Sequence, residues 1–204
     1  MAERITALGE IAWPTLAEPR LVLSERPVAG AWLIQVGADA KSAPLEALGW
    51  LCGFNPLPMP LSGGVARDSA TALLAVIAPG RCLLVTSDAN EAAALAERID
   101  PDAAIACRCQ RAWLRLDGSG VDAFLDRRLG IDLRGGALAA GQMAVTRLGP
   151  VDVLVHAAGE GGFDLLPARS FAAALAETLC DAAAAEGVRL AVQPAADHQW
   201  SHMA

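Results

Sequence analysis

Apolar and polar positions along this chain fall into short runs punctuated by proline and glycine, and most of the runs have strand character. "AWLIQVG" (31–37) reads as a buried strand. "ALLAVIAPGRCLLVTS" (72–87) is two apolar runs split by Pro79-Gly80, the signal for a hairpin. In "DANEAAALAERID", Asp88 or Asn90 can cap a helix whose Ala and Leu positions keep helical spacing as far as Pro101. This predicts one helix packed on the hairpin.

The second half repeats the logic. A strand at "AWLRLDG" leads to a helix at "SGVDAFLDRRLG", with Ser119 expected at its cap and Gly130 at its stop. Strands follow near "MAVTRLG", "VDVLVHAA" and "GFDLLPA", joined by turns at Gly149-Pro150 and in "GEGG". Ser170 is expected to cap a long Ala-rich helix closed by Gly187. The order β-α-β-β-β-α from 112 to 187 predicts an α+β fold, with helices packed on antiparallel sheets. The part before residue 100 resembles a second, partial unit, so the chain divides into two β-α-β-β-type units. The expected segments are an extended N-terminal arm (1–30), a first unit (31–105), a second unit (106–190) and a C-terminal tail (191–204). The arm is expected because Pro14, Pro19 and Pro27 oppose a helix there.

One segment fits neither periodicity. "LGWLCGFNPLPMPLSGG" (48–64) has Pro56, Pro58 and Pro60 at alternate positions, which denies it helix and central-strand bonding. Its Trp50, Leu51, Phe54, Leu57, Met59 and Leu61 nevertheless make it far more apolar than a solvated loop. These six residues are predicted to form a partner-binding surface.

Composition narrows the class. Of 204 residues, 54% are hydrophobic, yet no apolar run reaches the roughly 18 residues of a membrane span. No export signal is visible, so cytoplasm is the expected compartment. A net charge of −7 argues against a nucleic-acid partner, which needs clustered cations. All basic residues except Lys41 are Arg, a usage typical of a GC-rich bacterial genome. The odd set Cys52, Cys82, Cys107, Cys109 and Cys180 points to free thiols rather than a disulfide framework.

Candidate chemistry is sparse. The Gly-rich pieces "LSGG", "RGGALAAG" and "GEGG" lack the Lys-Ser/Thr ending of a P-loop, and no Rossmann fingerprint follows a strand. No catalytic, cofactor-binding or metal-ligating residue is assigned. "CRCQRAW" (107–113) has C-x-C spacing with no nearby ligand pair to complete a zinc site. On a strand, both thiols face one side and act as small hydrophobes. Arg108, Arg111 and Arg115 can hold an anion or pair with acidic neighbours, and alternation places Arg111 and Arg115 on one face. His156 ends a strand with no serine elbow in the sequence, which suggests a structural role. Asp117 and Asp132 read as turn and loop acids, and His198 and His202 lie in the tail.

"QRAWLRLDG", the "DLRGGALAAGQ…TRLG" run and "FDLLPARSFAAAL", in that order, resemble the gamma subunit of heterotetrameric sarcosine oxidase. That family is similar in fold to the folate-binding aminomethyltransferases (glycine-cleavage T-protein), and the match spans roughly residues 45–185. The resemblance implies an aminomethyltransferase-like folate-binding fold in a non-catalytic subunit clamped on a large alpha flavoprotein subunit. It also implies a complex that uses FAD, FMN, NAD, zinc and tetrahydrofolate, none of them held by this chain. Aminomethyltransferases place a folate-positioning acid where this sequence has Cys, Arg and Gln. A free-standing folate-binding protein, or a subunit of a related N-methyl amino acid oxidase, is the alternative.

Overall fold

The computed structural model describes residues 6–9, 11–13, 16–36, 65–68, 71–78, 80–98, 104–134, 137–158 and 161–195. Their strands are β1 (Leu21–Arg26), β2 (Gly30–Val36), β3 (Val65–Asp68), β4 (Ala72–Ala78), β5 (Arg81–Thr86) and β6 (Ala104–Arg108). β7 (Trp113–Gly118), β8 (Met143–Leu148), β9 (Val151–Ala157), β10 (Phe163–Pro167) and β11 (Leu190–Gln193) complete the set. The helices are α1 (Ala89–Arg98), α2 (Val121–Asp126) and α3 (Ala172–Ala185). No helix among the described residues is long and apolar enough to cross a membrane.

Two sheets form, ordered β11-β1-β7-β10-β9-β8 and β3-β4-β5-β2-β6. Every described pairing is antiparallel except β1 with β11. The six-stranded sheet buries one face under α2 and α3, where Leu23, Leu116, Val155 and Leu165 meet Phe124, Leu175 and Leu179. Its other face meets the five-stranded sheet, with Trp113, Met143, Leu154 and Leu166 packing against Ala31, Leu73, Leu83 and Val85. The far face of the five-stranded sheet, with Ile34, Leu74, Val76 and Leu84, packs with Ala92 of α1. β4 and β10 are therefore covered on both faces, which is why they read "ALLAVIA" and "FDLLP" without alternation.

The predicted hairpin is β4–β5, with Gly80 at φ 66° in its turn. The predicted β-α-β-β-β-α order is present from β7 to α3. Asp88 rather than Asn90 starts α1, since its Oδ1 accepts the Asn90 N–H at 2.7 Å.

Four boundary expectations need correction. Residues 21–26 are not part of an arm: β1 is an interior strand between β7 and β11, possible because Pro19 and Pro27 flank the run without entering it. β11 carries the same sheet to Gln193, past the expected start of the tail. Ser119 does not cap α2. Its N–H bonds the Arg20 carbonyl and its own carbonyl accepts Arg20 Nε, while Gly120 precedes the helix at φ 78°. Ser170 lies within a 3-10 turn (Arg169–Phe171) that leads into α3, and no side chain caps either helix.

At the other end of α3, Gly187 does close the helix. It sits at φ 64°, its N–H bonds the Ala184 carbonyl, and the Val188 N–H reaches Ala183 at 2.8 Å. Gly118 is under a different constraint: at φ 129°, any Cβ would collide with the Arg20 carbonyl oxygen where β7 meets the start of β1. Gly118→Ala should cost at least about 2 kcal/mol in urea unfolding. Gly187→Ala has open space around it and should cost only about 1 kcal/mol. Equal losses would refute the close-approach argument.

Candidate functional site

Two groups of chemistry-bearing side chains stand out among the described residues, one buried and one open. The buried group lies on the inter-sheet face of three adjacent strands. Asp164 of β10 is fully buried, and its Oδ1 accepts the Trp113 Nε1–H of β7 at 2.9 Å. Its Oδ2 lies 3.0 Å from His156 Nδ1 of β9 and 3.7 Å from an Arg115 guanidinium nitrogen. Arg115 Nε also donates to Asp117 Oδ1 at 2.8 Å. The Arg26 guanidinium stacks 5.0 Å above the Trp113 ring. The Asp164–His156 pair has the orientation of a general-base dyad, because an ionised carboxylate selects the tautomer with the proton on Nδ1. His156 Nε2 is nonetheless buried and meets no hydrogen-bonding group among the described residues. None of the described hollows is lined by His156. Among the described residues the pair's visible role is to tie β10 to its two neighbouring strands.

The open group is the "CRCQR" segment, where the chain crosses from one sheet to the other. Among the described strands β6 pairs only with β2, and the Cys109 N–H extends that pairing to the Ala31 carbonyl at 2.9 Å. Arg111 then bridges to Ala168, and the Arg169 N–H bonds the Gln110 carbonyl at 3.1 Å. The result is a groove of about 540 Å³ between the start of β2 and the turn before α3. Arg108, Gln110, Arg111 and Arg169 supply its polar wall, and Val28, Ala31 and Cys109 part of its apolar one. Gln110 and Arg169 also line an adjoining hollow of about 650 Å³ with Thr6 and Ser170. No carboxylate among the described residues lines either hollow.

Expected site residues fare differently. Trp50, Leu51, Phe54, Leu57, Met59 and Leu61 lie outside the described residues, as do Cys52, His198 and His202. Cys107 is exposed and Cys109 half-buried. Burial pushes the Cys109 thiol up despite the opposing Arg111 guanidinium, which leaves it a poor nucleophile. Arg115 pairs with acids as expected, whereas Arg111 donates to the Leu166 carbonyl at 3.3 Å and faces the groove. Asp132 binds Arg134 at 3.0 Å, a hydrogen bond that holds its carboxyl below the ordinary range, and it meets none of the groups above. Sequence reasoning missed Asp164 and Arg169. An acid inside the apolar run "FDLLP" was the available signal for the first.

Burial acts to raise the Asp164 carboxyl, but hydrogen bonds from His156 and Trp113, with the Arg115 charge nearby, outweigh it and hold the group below its ordinary value. A carboxyl lowered in the folded state contributes stability that is complete above its unfolded value of about 3.9 and is lost as pH falls through the folded value. Asp164→Asn should therefore lose about 3 kcal/mol at neutral pH and show a shallower decline in stability between about pH 4 and pH 2 than the wild type. Urea titrations across that range check both halves.

No protein-family model matches the chain, and no curated protein matches it. Solved structures do. A chain of the heterotetrameric sarcosine oxidase from Corynebacterium sp. U-96, in complex with pyrrole 2-carboxylate, superposes with a TM-score of 0.67 at 20% identity. The match covers 83% of this chain and 87% of that one. The glycine cleavage system aminomethyltransferase T from Bartonella henselae superposes with a TM-score of 0.60 at 19% identity, covering 86% of this chain and 48% of that one. This chain thus spans about half the length of the aminomethyltransferase and most of the length of the oxidase chain. At these identities the likeness is one of fold, and the fold is the aminomethyltransferase-like folate-binding fold expected from the sequence.

Proposed function

We propose that this chain is the gamma subunit of a heterotetrameric sarcosine oxidase, a non-catalytic structural subunit clamped on a large alpha flavoprotein subunit. The complex would demethylate sarcosine oxidatively to glycine and pass the carbon to tetrahydrofolate. FAD, FMN, NAD and zinc belong, in this reading, to the other subunits. The observation that carries it is reciprocal coverage: the match takes in 83% of this chain and 87% of an oxidase chain, so the two are comparable in extent. The competing reading, a free-standing folate-binding aminomethyltransferase, shares the fold, and the match takes in 48% of that protein's chain. The described walls of the "CRCQR" groove also disfavour it. A pterin presents a donor-rich edge that a carboxylate satisfies, and guanidiniums, which only donate, cannot replace one. The described residues there offer no carboxylate to a pterin edge.

Co-expression with a large flavoprotein subunit of a sarcosine oxidase should give one co-eluting complex on gel filtration, with oxidase activity toward sarcosine in that complex. The paired substitutions Trp50→Glu and Phe54→Glu should abolish co-elution while circular dichroism shows the chain still folded, since aromatic anchors at an interface typically carry about 2 kcal/mol or more each. A chain that elutes alone in every case defeats the assembly reading. A second measurement separates the alternatives: the isolated chain should be colourless and give no saturable heat with tetrahydrofolate. Saturable calorimetric binding at micromolar levels would revive the enzyme.

A further inference from the structure

The cationic groove at the inter-sheet crossing shares no described residue with the buried network. We propose that it docks an acidic peptide segment of the partner subunit, one in which carboxylates alternate with apolar residues. The inference rests on the assembly reading and names the chemistry of one contact within it.

Several observations converge. The chain carries a net charge of −7, yet Arg108, Arg111 and Arg169 line one groove with no carboxylate among its described walls. Arg108 is exposed and makes no ion pair with a described residue, so its charge is available to an incoming anion. Arg111 is oriented beforehand by the Leu166 carbonyl and by its backbone bridge to Ala168. Less side-chain freedom is then lost when a carboxylate arrives.

The shape selects a peptide over a small anion. Gln110 and Arg169 belong to both hollows, so the two adjoin, and together they offer more room than an isolated phosphate or carboxylate needs. Val28, Ala29, Ala31 and Cys109 add apolar lining beside the guanidiniums, suited to the side chains that separate carboxylates in a peptide. A nucleic acid is the wrong polyanion, because three arginines cannot offset the repulsion between its phosphates and an acidic protein.

Surface plasmon resonance of the full chain against the large flavoprotein subunit tests the proposal, in salt from about 0.05 M to about 0.5 M. For the wild type, the association rate should fall roughly tenfold across that range, as expected for steering between opposite charges. At low salt, Arg108→Glu alone should slow association at least about fivefold, and the double variant Arg108→Glu/Arg111→Glu more than about tenfold, both with a flattened salt dependence. Circular dichroism guards against unfolding, and the single variant, which removes only an exposed side chain, keeps the test valid if the double variant misfolds. Wild-type association by both variants would overturn the groove while leaving the assembly reading intact. Failure of the wild type to bind at all would overturn the assembly reading itself, and the docking with it. Citrate is the small-anion probe. If it binds the isolated chain and Arg108→Glu removes that binding without changing association with the large subunit, the groove is a small-molecule site and the docking proposal fails.

Discussion

A single buried carboxylate sets the register of the larger sheet. Asp164 stands in the middle strand of β7-β10-β9 and takes a hydrogen bond from each neighbour, Trp113 on one side and His156 on the other, with Arg115 nearby. Each of those groups would be costly to bury alone, and together they satisfy most of one another's bonding capacity. A one-residue slip of β10 would turn Asp164 toward Phe124, Leu175 and Leu179, where no described polar group could receive it. Apolar packing alone would tolerate that slip far better, because β10 is apolar at every other position and both its faces are buried. The polar network therefore selects one register among several that the hydrophobic effect permits.

That register has consequences at the surface. Trp113, on the same strand as Arg115, and Leu166, on the neighbouring β10, pack against Leu73, Leu83 and Val85 of the second sheet, and the chain passes between the sheets through residues 109–112. The start of β2, the end of β6 and the turn before α3 are brought together there, and the guanidiniums of Arg108, Arg111 and Arg169 are brought with them. The groove is a by-product of how the two sheets are joined, which is why residues distant in the chain line it. On β6 and β8, the outermost described strands at one end of each sheet, the apolar side chains of Ile105 and Val145 are 65% and 63% exposed, whereas β10 is buried throughout.

The features legible in the sequence were those whose causes are local. Pro79-Gly80 between two apolar runs makes a hairpin wherever the runs pack, and Gly187 ends a helix because a left-handed residue can bond back to the last turn. The alternation of strands and helices after residue 112 was legible for the same reason. Serine caps were less secure, since Ser119 and Ser170 resemble cap residues by type but their backbones are recruited by tertiary neighbours and a 3-10 turn. Likewise three closely spaced arginines carry no mark of which will pair. Arg115 found Asp117 and Asp164, and Arg108 found no acid among the described residues.

By itself, then, the sequence determined the α+β class, the order of elements in the second half, the absence of nucleotide-binding signatures and, through ordered resemblance, the fold that the superpositions bear out. Tertiary structure decided what depends on pairing between distant segments. β1 became an interior strand because β7 and β11 bind its two edges from about 90 and 170 residues away, a distance at which no local propensity operates. His156 acquired its partner because the β9–β10 register places Asp164 opposite it, and Arg169 joined the groove because the Arg111–Ala168 bridge draws that turn against β6. Side-chain type was written in the chain, and proximity was set only when the sheets closed on each other.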